Sequence, residues 1–333
     1  MADIRDVAKE AGVSIGTVSR VVNSSGPVNE LTKARVHEAI KKLGYRPNTV
    51  AQSLRTGKTR IIGLVLPTIC DPYYAALASA LEDELRDHHY TINISSIGDS
   101  ENASDRLDNM INLRRTDGIL VCTTQSNYRL LKSILTEHST PIILLDAVRG
   151  FGNLSSIAVD NLYGMNAAIE HLKQKGHTKI GYMSGLDTMC AGEDRLLSFK
   201  QAMQDQKLAV KAEWIVEAVP STEGGYQAGL SCSKMSDRPT AVICYNDLMA
   251  CGLQRAALDH GLRIPEDLAI VGCDDIFLSA YMAPPLTSLA YSVKDAAKAA
   301  CDMILNRIKT KDITTEQISQ ITIKPSLVVR KSS

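Results

Sequence analysis

Aromatic residues are scarce, with three Phe and one Trp among 333 residues, so the cores of this chain are expected to be mostly aliphatic. No stretch approaches the ~20 uninterrupted apolar residues of a membrane span. No apolar core follows a basic flank at the N-terminus, as a secretory signal would require. The expectation is a cytoplasmic protein with no membrane partner. The eight cysteines, Cys70, Cys122, Cys190, Cys232, Cys244, Cys251, Cys273 and Cys301, form no CxxC pair and no ligand-like spacing. They read as buried, reduced thiols, and no metal is expected. His88-His89 reads as the charged last turn of a helix. Also missing are a G-x-G-x-x-G after a strand, a P-loop and a G-x-S-x-G elbow. With no nucleophile or cofactor motif, neither an enzyme nor a cofactor is expected; acid–base work by Asp and Arg in a cleft is the enzymatic alternative.

Net charge is also absent, at +0 overall, but the average conceals an asymmetry. Residues 1–60 hold 11 Lys+Arg against 5 Asp+Glu, and the remainder holds 26 against 32. A basic head on an acidic body suits a head that binds a polyanion and a body with another task. The plain alternative is a solvated basic face.

The head carries helix signals at short spacing. Asp3 can cap a helix whose Ile4, Val7, Ala8 and Ala11 recur at i, i+3, i+4 and i+7. Gly12 interrupts it. Ser14 offers a second cap, and Ile15, Val18, Val21 and Val22 form a short second apolar face. Two short helices joined by a tight Gly-containing turn predict a helix-turn-helix. After a Ser24-Ser25-Gly26-Pro27 loop, Asn29 caps a third helix. Its Val36, Ala39, Ile40 and Leu43 face inward, and Gly44 ends it. In such a unit the second helix enters a DNA major groove. The outward residues of that helix are Ile15, Gly16, Thr17, Ser19 and Arg20. Arg20 suits a guanine edge, while Thr17 and Ser19 suit phosphate or base contacts.

Residues 46–60 are basic and free of acid, with Val50 and Leu54 four apart. A helix this short is marginal in water and needs a partner, which a second copy on DNA would supply. Here a resemblance is plain. Ile4 to Ser14 (IRDVAKEAGVS), Thr17 to Asn23 (TVSRVVN), Leu43 to Asn48 (LGYRPN) and Ala51 to Leu54 (AQSL) are similar to the lactose-repressor (LacI/GalR) family of bacterial transcription regulators. The likeness runs through nearly the whole chain. It implies DNA contacts from Ser14, Ile15, Gly16, Thr17, Ser19, Arg20 and Asn23. It also implies that Leu54 wedges into the minor groove at the operator centre with Arg55 beside it, bending the duplex.

From Ile61 the rhythm becomes alternating strands and helices. Strands are expected at 61–66, 91–97, 118–122, 141–145, 179–183, 213–216, 241–244 and 268–272. Helices are expected at 74–87, 104–114, 162–175, 194–206, 225–235 and 247–260. The alternation predicts an α/β body of doubly wound parallel sheet, with enough strands for two sheets. The tail adds a helix at 292–309 and short strands at 318–323 and 326–329. The resemblance implies a periplasmic-binding-protein-like body whose chain crosses between its halves near Asp160, near Tyr291 and close to the end. It divides the chain into a helix-turn-helix head at 1–45, a hinge at 46–60, a first subdomain of 61–159 plus 292–320, and a second of 160–291 plus 321–333.

Ligands of doubly wound sheets bind beyond the carboxyl ends of the strands. Those positions hold Asp71-Pro72-Tyr73-Tyr74, Gly98-Asp99-Ser100, Thr123-Thr124-Gln125, Asp146, 185–195, Pro220-Ser221-Thr222, Asn246-Asp247 and Asp274-Asp275. Carboxylates accept from sugar hydroxyls, Arg195 donates, and Tyr73 and Tyr74 offer stacking faces, so the set suits a sugar or sugar derivative. The resemblance places Asp146, Arg195, Asn246 and Asp274 at effector-bonding positions. Plainer readings stand beside these: Asp247 as an N-cap, Asp274 or Asp275 as turn caps, and Tyr73 and Tyr74 as helix-start packing. Pro220 stands where some relatives carry a stacking aromatic, leaving Tyr291 or Phe277 to supply that face.

The implied mechanism is a homodimer that presents two heads to a pseudo-palindromic double-stranded operator, with the effector controlling the pairing of the hinge segments. An extracytoplasmic sugar-binding protein shares such a body but lacks the basic head. Within the family, a purine or a partner protein is the alternative effector.

Overall fold

A computed structural model describes residues 2–23, 26–45, 57–97, 116–122, 140–146, 154–185, 190–310 and 318–333. The chain divides into two units, Met1–Thr59 and Arg60–Ser333. The expected hinge helix with Leu54 and Arg55, the helix at 104–114 and the loops at 98–100 and 123–125 lie outside the described residues.

In the first unit, three helices, α1 (Ile4–Ala11), α2 (Ile15–Asn23) and α3 (Glu30–Leu43), surround Val7, Ala8, Val18, Val21, Val36 and Ala39. Asp3 and Asp6 form a reciprocal capping box on α1, which satisfies amides that helix geometry leaves unpaired. Gly12 (φ 63°) and Gly44 (φ 59°) close α1 and α3 in the left-handed conformation, where a side chain would be strained. Arg35 reaches from α3 to the carbonyls of Ala11 and Gly12 at the end of α1, a favourable place for a cation. Of the two placements offered for Ile15, apolar face and outward residue, the second holds. Ile15 is 46% exposed rather than part of the apolar face, because it opens α2 on the side away from the cluster.

In the second unit, the strands are β1 (Ile61–Leu66), β2 (Thr91–Ser96), β3 (Gly118–Cys122), β4 (Ile142–Leu145), β5 (Ser155–Val159), β6 (Ile180–Ser184), β7 (Ile215–Glu217), β8 (Ala241–Cys244), β9 (Ala269–Asp274), β10 (Thr287–Ala290), β11 (Gln320–Ile323) and β12 (Ser326–Val328). They form two six-stranded sheets, ordered β11-β5-β4-β3-β1-β2 and β12-β10-β9-β8-β6-β7. Every pairing is parallel except β10 with β12. The chain therefore passes from one sheet to the other after β5, returns after β10, and crosses again between β11 and β12.

The helices are α4 (Pro72–Arg86), α5 (Asn161–Gln174), α6 (Cys190–Asp205), α7 (Thr222–Ser233), α8 (Asp247–Asp259) and α9 (Val293–Thr310). α4 and α9 bury Leu77, Leu81, Ala300 and Ile304 against the first sheet. α5 and α6 cover one face of the second sheet through Ile169, Leu172, Phe199 and Met203, and α8 packs Met249 and Leu253 on the other. Burying a side chain of this size stabilises by roughly 1.5–3 kcal/mol. Among the described residues no helix is long and apolar enough to cross a membrane.

Several expectations need correction. The division at 320/321 cuts through β11, whose Ile321 and Ile323 pair with Ile157 and Val159 of the first sheet. The strand at 213–216 is instead a 3-10 turn (Ala212–Trp214) followed by β7. Trp214 is buried there and its Nε1 donates to the Asp237 carbonyl at 2.8 Å. β5 and β10 were not foreseen. Cys70 is exposed and Cys251 is partly so, because Cys70 lies in the β1–α4 loop.

Candidate functional site

On the head, Ser14 Oγ accepts from Thr17 N at 3.1 Å and lies 2.9 Å from Thr17 Oγ1. Ser14 therefore caps α2 as expected, which fixes the helix whose first turn carries the candidate reading residues. Ser14, Ile15, Gly16 and Arg20 are exposed, and Thr17 and Ser19 are half-buried. Asn23 is the last residue of α2.

The candidate effector residues come together at the carboxyl ends of β1, β4, β8 and β9. Arg195, on α6, is 6% exposed. Its guanidinium lies 4.7 Å from the Tyr245 ring centre and 5.1 Å from that of Tyr291. Nη1 donates to the Tyr245 carbonyl at 2.5 Å and Nη2 to Asp274 Oδ1 at 3.1 Å. Nε is buried with no protein acceptor among the described residues, an uncommon state for a buried donor.

Three carboxylates surround this single described cation. Asp274 ends β9 and Asp146 follows β4, both at positive φ (99° and 51°). Such backbone costs of order 1–3 kcal/mol per non-glycine residue and clusters at functional sites. Asp146 Oδ1 accepts from the Tyr73 hydroxyl at 3.0 Å. Asp71 caps α4 by accepting from Tyr73 N at 2.9 Å. Burial pushes the Asp71 and Asp146 carboxyls up, with Arg195 pulling each back. Burial likewise raises Asp274 to about 8 against the same guanidinium. Removing carboxylates from water disfavours their charge, and one arginine offsets this only in part.

Tyr73 and Tyr74, in the first turn of α4, meet edge to face with ring centres 5.3 Å apart. Tyr73 also packs edge-on to Tyr291 at 6.4 Å, so Tyr73 both packs and bonds. Tyr291 does sit in the cluster, whereas Phe277 is 69% exposed on a 3-10 turn (Phe277–Tyr281). Asp71 and Tyr291 join the cluster in line with the strand-end and stacking readings, and Tyr245, directly after β8, adds a ring not in the expected set. The N-cap expected of Asp247 belongs instead to Asn246, whose Oδ1 accepts from Met249 N at 2.9 Å. Asp247 is the next residue and points into the core.

Comparison with known proteins agrees with this architecture. Residues 3–48 match the model for bacterial regulatory proteins of the lacI family, and 169–333 match a periplasmic binding protein-like domain. The HTH-type transcriptional repressor PurR of Haemophilus influenzae (strain PittEE) is 36% identical, over 100% of this chain and 98% of the relative. PurR of Proteus mirabilis (strain HI4320) is also 36% identical, over 100% and 97%. The lac repressor dimer bound to operator and the anti-inducer ONPF superposes with a TM-score of 0.88 at 26% identity, covering 99% of this chain and 98% of that one. The complex of the transcriptional regulator CelR with cellobiose gives 0.76 at 26% identity, with full coverage of both. The chain belongs to the lacI family of bacterial regulatory proteins, as a DNA-binding transcriptional repressor.

Proposed function

We propose that this repressor is a cytoplasmic homodimer, without catalytic activity, whose operator affinity is set by a small, uncharged, donor-rich metabolite. Tyr73, Tyr74, Asp146, Arg195, Asn246 and Asp274 hold the metabolite, together with Asp71, Tyr245 and Tyr291. One observation carries this reading: the buried Asp274 and the half-buried Asp71 and Asp146 share one described cation. Their spare oxygens accept, while the Tyr73 hydroxyl and both Nη atoms of Arg195 already donate within the protein. A hydroxyl-rich or amino-bearing ligand completes such a set, whereas a phosphate or carboxylate ligand brings further acceptors to a cluster already rich in them.

A sugar is the first reading, supported by this acceptor-rich cluster and by the cellobiose held in the CelR complex. A purine base is the second, favoured by the full-length PurR relatives. On DNA, Ser14, Ile15, Gly16, Thr17, Ser19, Arg20 and Asn23 contact the major groove, and Leu54 and Arg55 the minor groove. Exposed Phe277, Leu278 and Tyr281 on one turn support self-association. Calorimetric titration of the full chain with sugars, sugar phosphates and purine bases tests the proposal. Binding by an uncharged sugar or a purine, abolished in Arg195→Ala, is expected. Binding confined to sugar phosphates would overturn it.

A further inference from the structure

Beneath the cluster lies a further carboxylate that the effector reading does not use. Asp247 is wholly buried, yet its oxygens are fully engaged. Oδ2 accepts from Ile276 N at 2.9 Å and from the Ser279 hydroxyl at 2.6 Å. Oδ1 accepts from the Ser288 hydroxyl at 2.6 Å. Ser288 Oγ in turn accepts from Asp275 N at 3.1 Å. Asp247 therefore holds the backbone of 275 and 276, one amide directly and one through a hydroxyl relay. This is the segment that needs holding, because Asp274 and Asp275 are consecutive non-glycine residues at φ 99° and 48°. A third tether acts from outside, where Arg330 Nη1 donates to Asp275 Oδ1 at 2.6 Å and to the Leu286 carbonyl at 2.7 Å. Space for the carboxylate comes from Gly272 of β9, where an added Cβ would stand 2.0 Å from Asp247 Oδ1. The preceding residue, Asn246, caps α8 by accepting from Met249 N at 2.9 Å.

We infer that Asp247 is a positioning residue for the effector cleft. Through Ser288, Ser279 and Ile276 N it holds the 274–276 turn so that the Asp274 carboxylate meets Arg195. The inference rests on the effector reading for its purpose, but its geometry is testable without a ligand. Positioning of this kind depends on locked supporting hydrogen bonds rather than on contact with the ligand. Asn at 247 keeps an acceptor for Ile276 N and Ser279, and its amide can donate to Ser288 Oγ, so the relay survives. Ala at 288 leaves Asp275 N without an acceptor.

The test is NMR of the Arg195 guanidinium in the full-length chain, assigned by its loss in Arg195→Lys, with Trp214 fluorescence reporting the fold. The native protein and Asp247→Asn are expected to show separate Nη1 and Nη2 signals. Ser288→Ala is expected to lose that separation while Trp214 emission stays native. Ser279→Ala serves with the same readout if Ser288→Ala does not fold. Retained separation in the folded serine variant, or its loss in Asp247→Asn, would overturn the inference. Titration of the native protein with cellobiose and with guanine is read separately. Absence of any response to either would count against the effector reading while leaving the positioning result intact.

Discussion

Arg20 stands exposed on α2 of the head, whereas Arg195 is buried between two tyrosine rings with both Nη atoms engaged. The contrast extends to the residues around each. The head presents Ser14, Ile15, Gly16 and Arg20 to solvent on a helix fixed by a cap three residues away. The body gathers its cluster across 73 residues between Tyr73 and Asp146 and 79 between Arg195 and Asp274. A surface that meets a polyanion keeps its charges hydrated until DNA arrives, and local helix geometry suffices to aim them. A small-molecule site must desolvate its charges beforehand, which requires partners and a rigid sheet to hold them.

The largest expected effect breaks the buried side of this contrast. Arg195→Ala leaves three carboxylates without their described cation, and losing one partner of a buried pair costs about 3–5 kcal/mol. Urea unfolding followed by Trp214, the single tryptophan and a residue of the body, should show a loss of that size. Arg20→Ala, on the exposed side, should leave the same curve unmoved.

Next comes pH. Asp274 is raised to about 8 and Asp247 to about 6, chiefly by burial, from an ordinary 3.8. Asp71 and Asp146 move in the same direction. Between 3.8 and the folded value each carboxyl holds its proton in the native state and releases it on unfolding. The stability these groups contribute is therefore greatest near pH 4 and is lost as pH rises toward 8. Urea midpoints across that range should decline steadily, and Asp274→Asn should flatten the slope. A midpoint that rises with pH would contradict the assignment of these groups as buried and protonated.

A smaller effect sharpens the head. Arg20→Ala should relax preference at one base pair per half-site by roughly 1–3 kcal/mol, the value of a good bidentate pair, as read by sequencing DNA selected from a random pool. Smaller still, Asp3→Ala removes the acceptor of Arg5 N and Asp6 N and should cost the head about 1 kcal/mol, seen as earlier loss of operator binding on heating.

The same contrast explains what could be read in advance. The three head helices were legible down to Asp3, Ser14 and Asn29, because caps and stop glycines act within a few residues. Strands such as Ile61–Leu66 announced themselves as unbroken apolar runs. β5 and β10 did not, since Ser155, Ser156, Thr287 and Ser288 look like loop residues. The hydroxyls of Ser155, Thr287 and Ser288 are paired with distant partners: Ser155 with Ser319 N, Thr287 with Arg330 N, and Ser288 with Asp247. Asp247 resembled a cap because it follows a strand at a helix start; only the packed sheet shows Asn246 taking that role. Residue types at the strand ends pointed to the cluster. The guanidinium held between Tyr245 and Tyr291 depends on sheet order, which no local pattern encodes.

The most direct test of the account is operator selection with the full-length chain, followed by titration of the selected duplex with the sugar and purine panel. The account predicts a pseudo-palindromic site bound in preference to random competitor, with an affinity that one uncharged metabolite shifts in the native protein but not in Arg195→Ala. Equal binding to all duplexes, or a selected site indifferent to every compound in the panel, would contradict it.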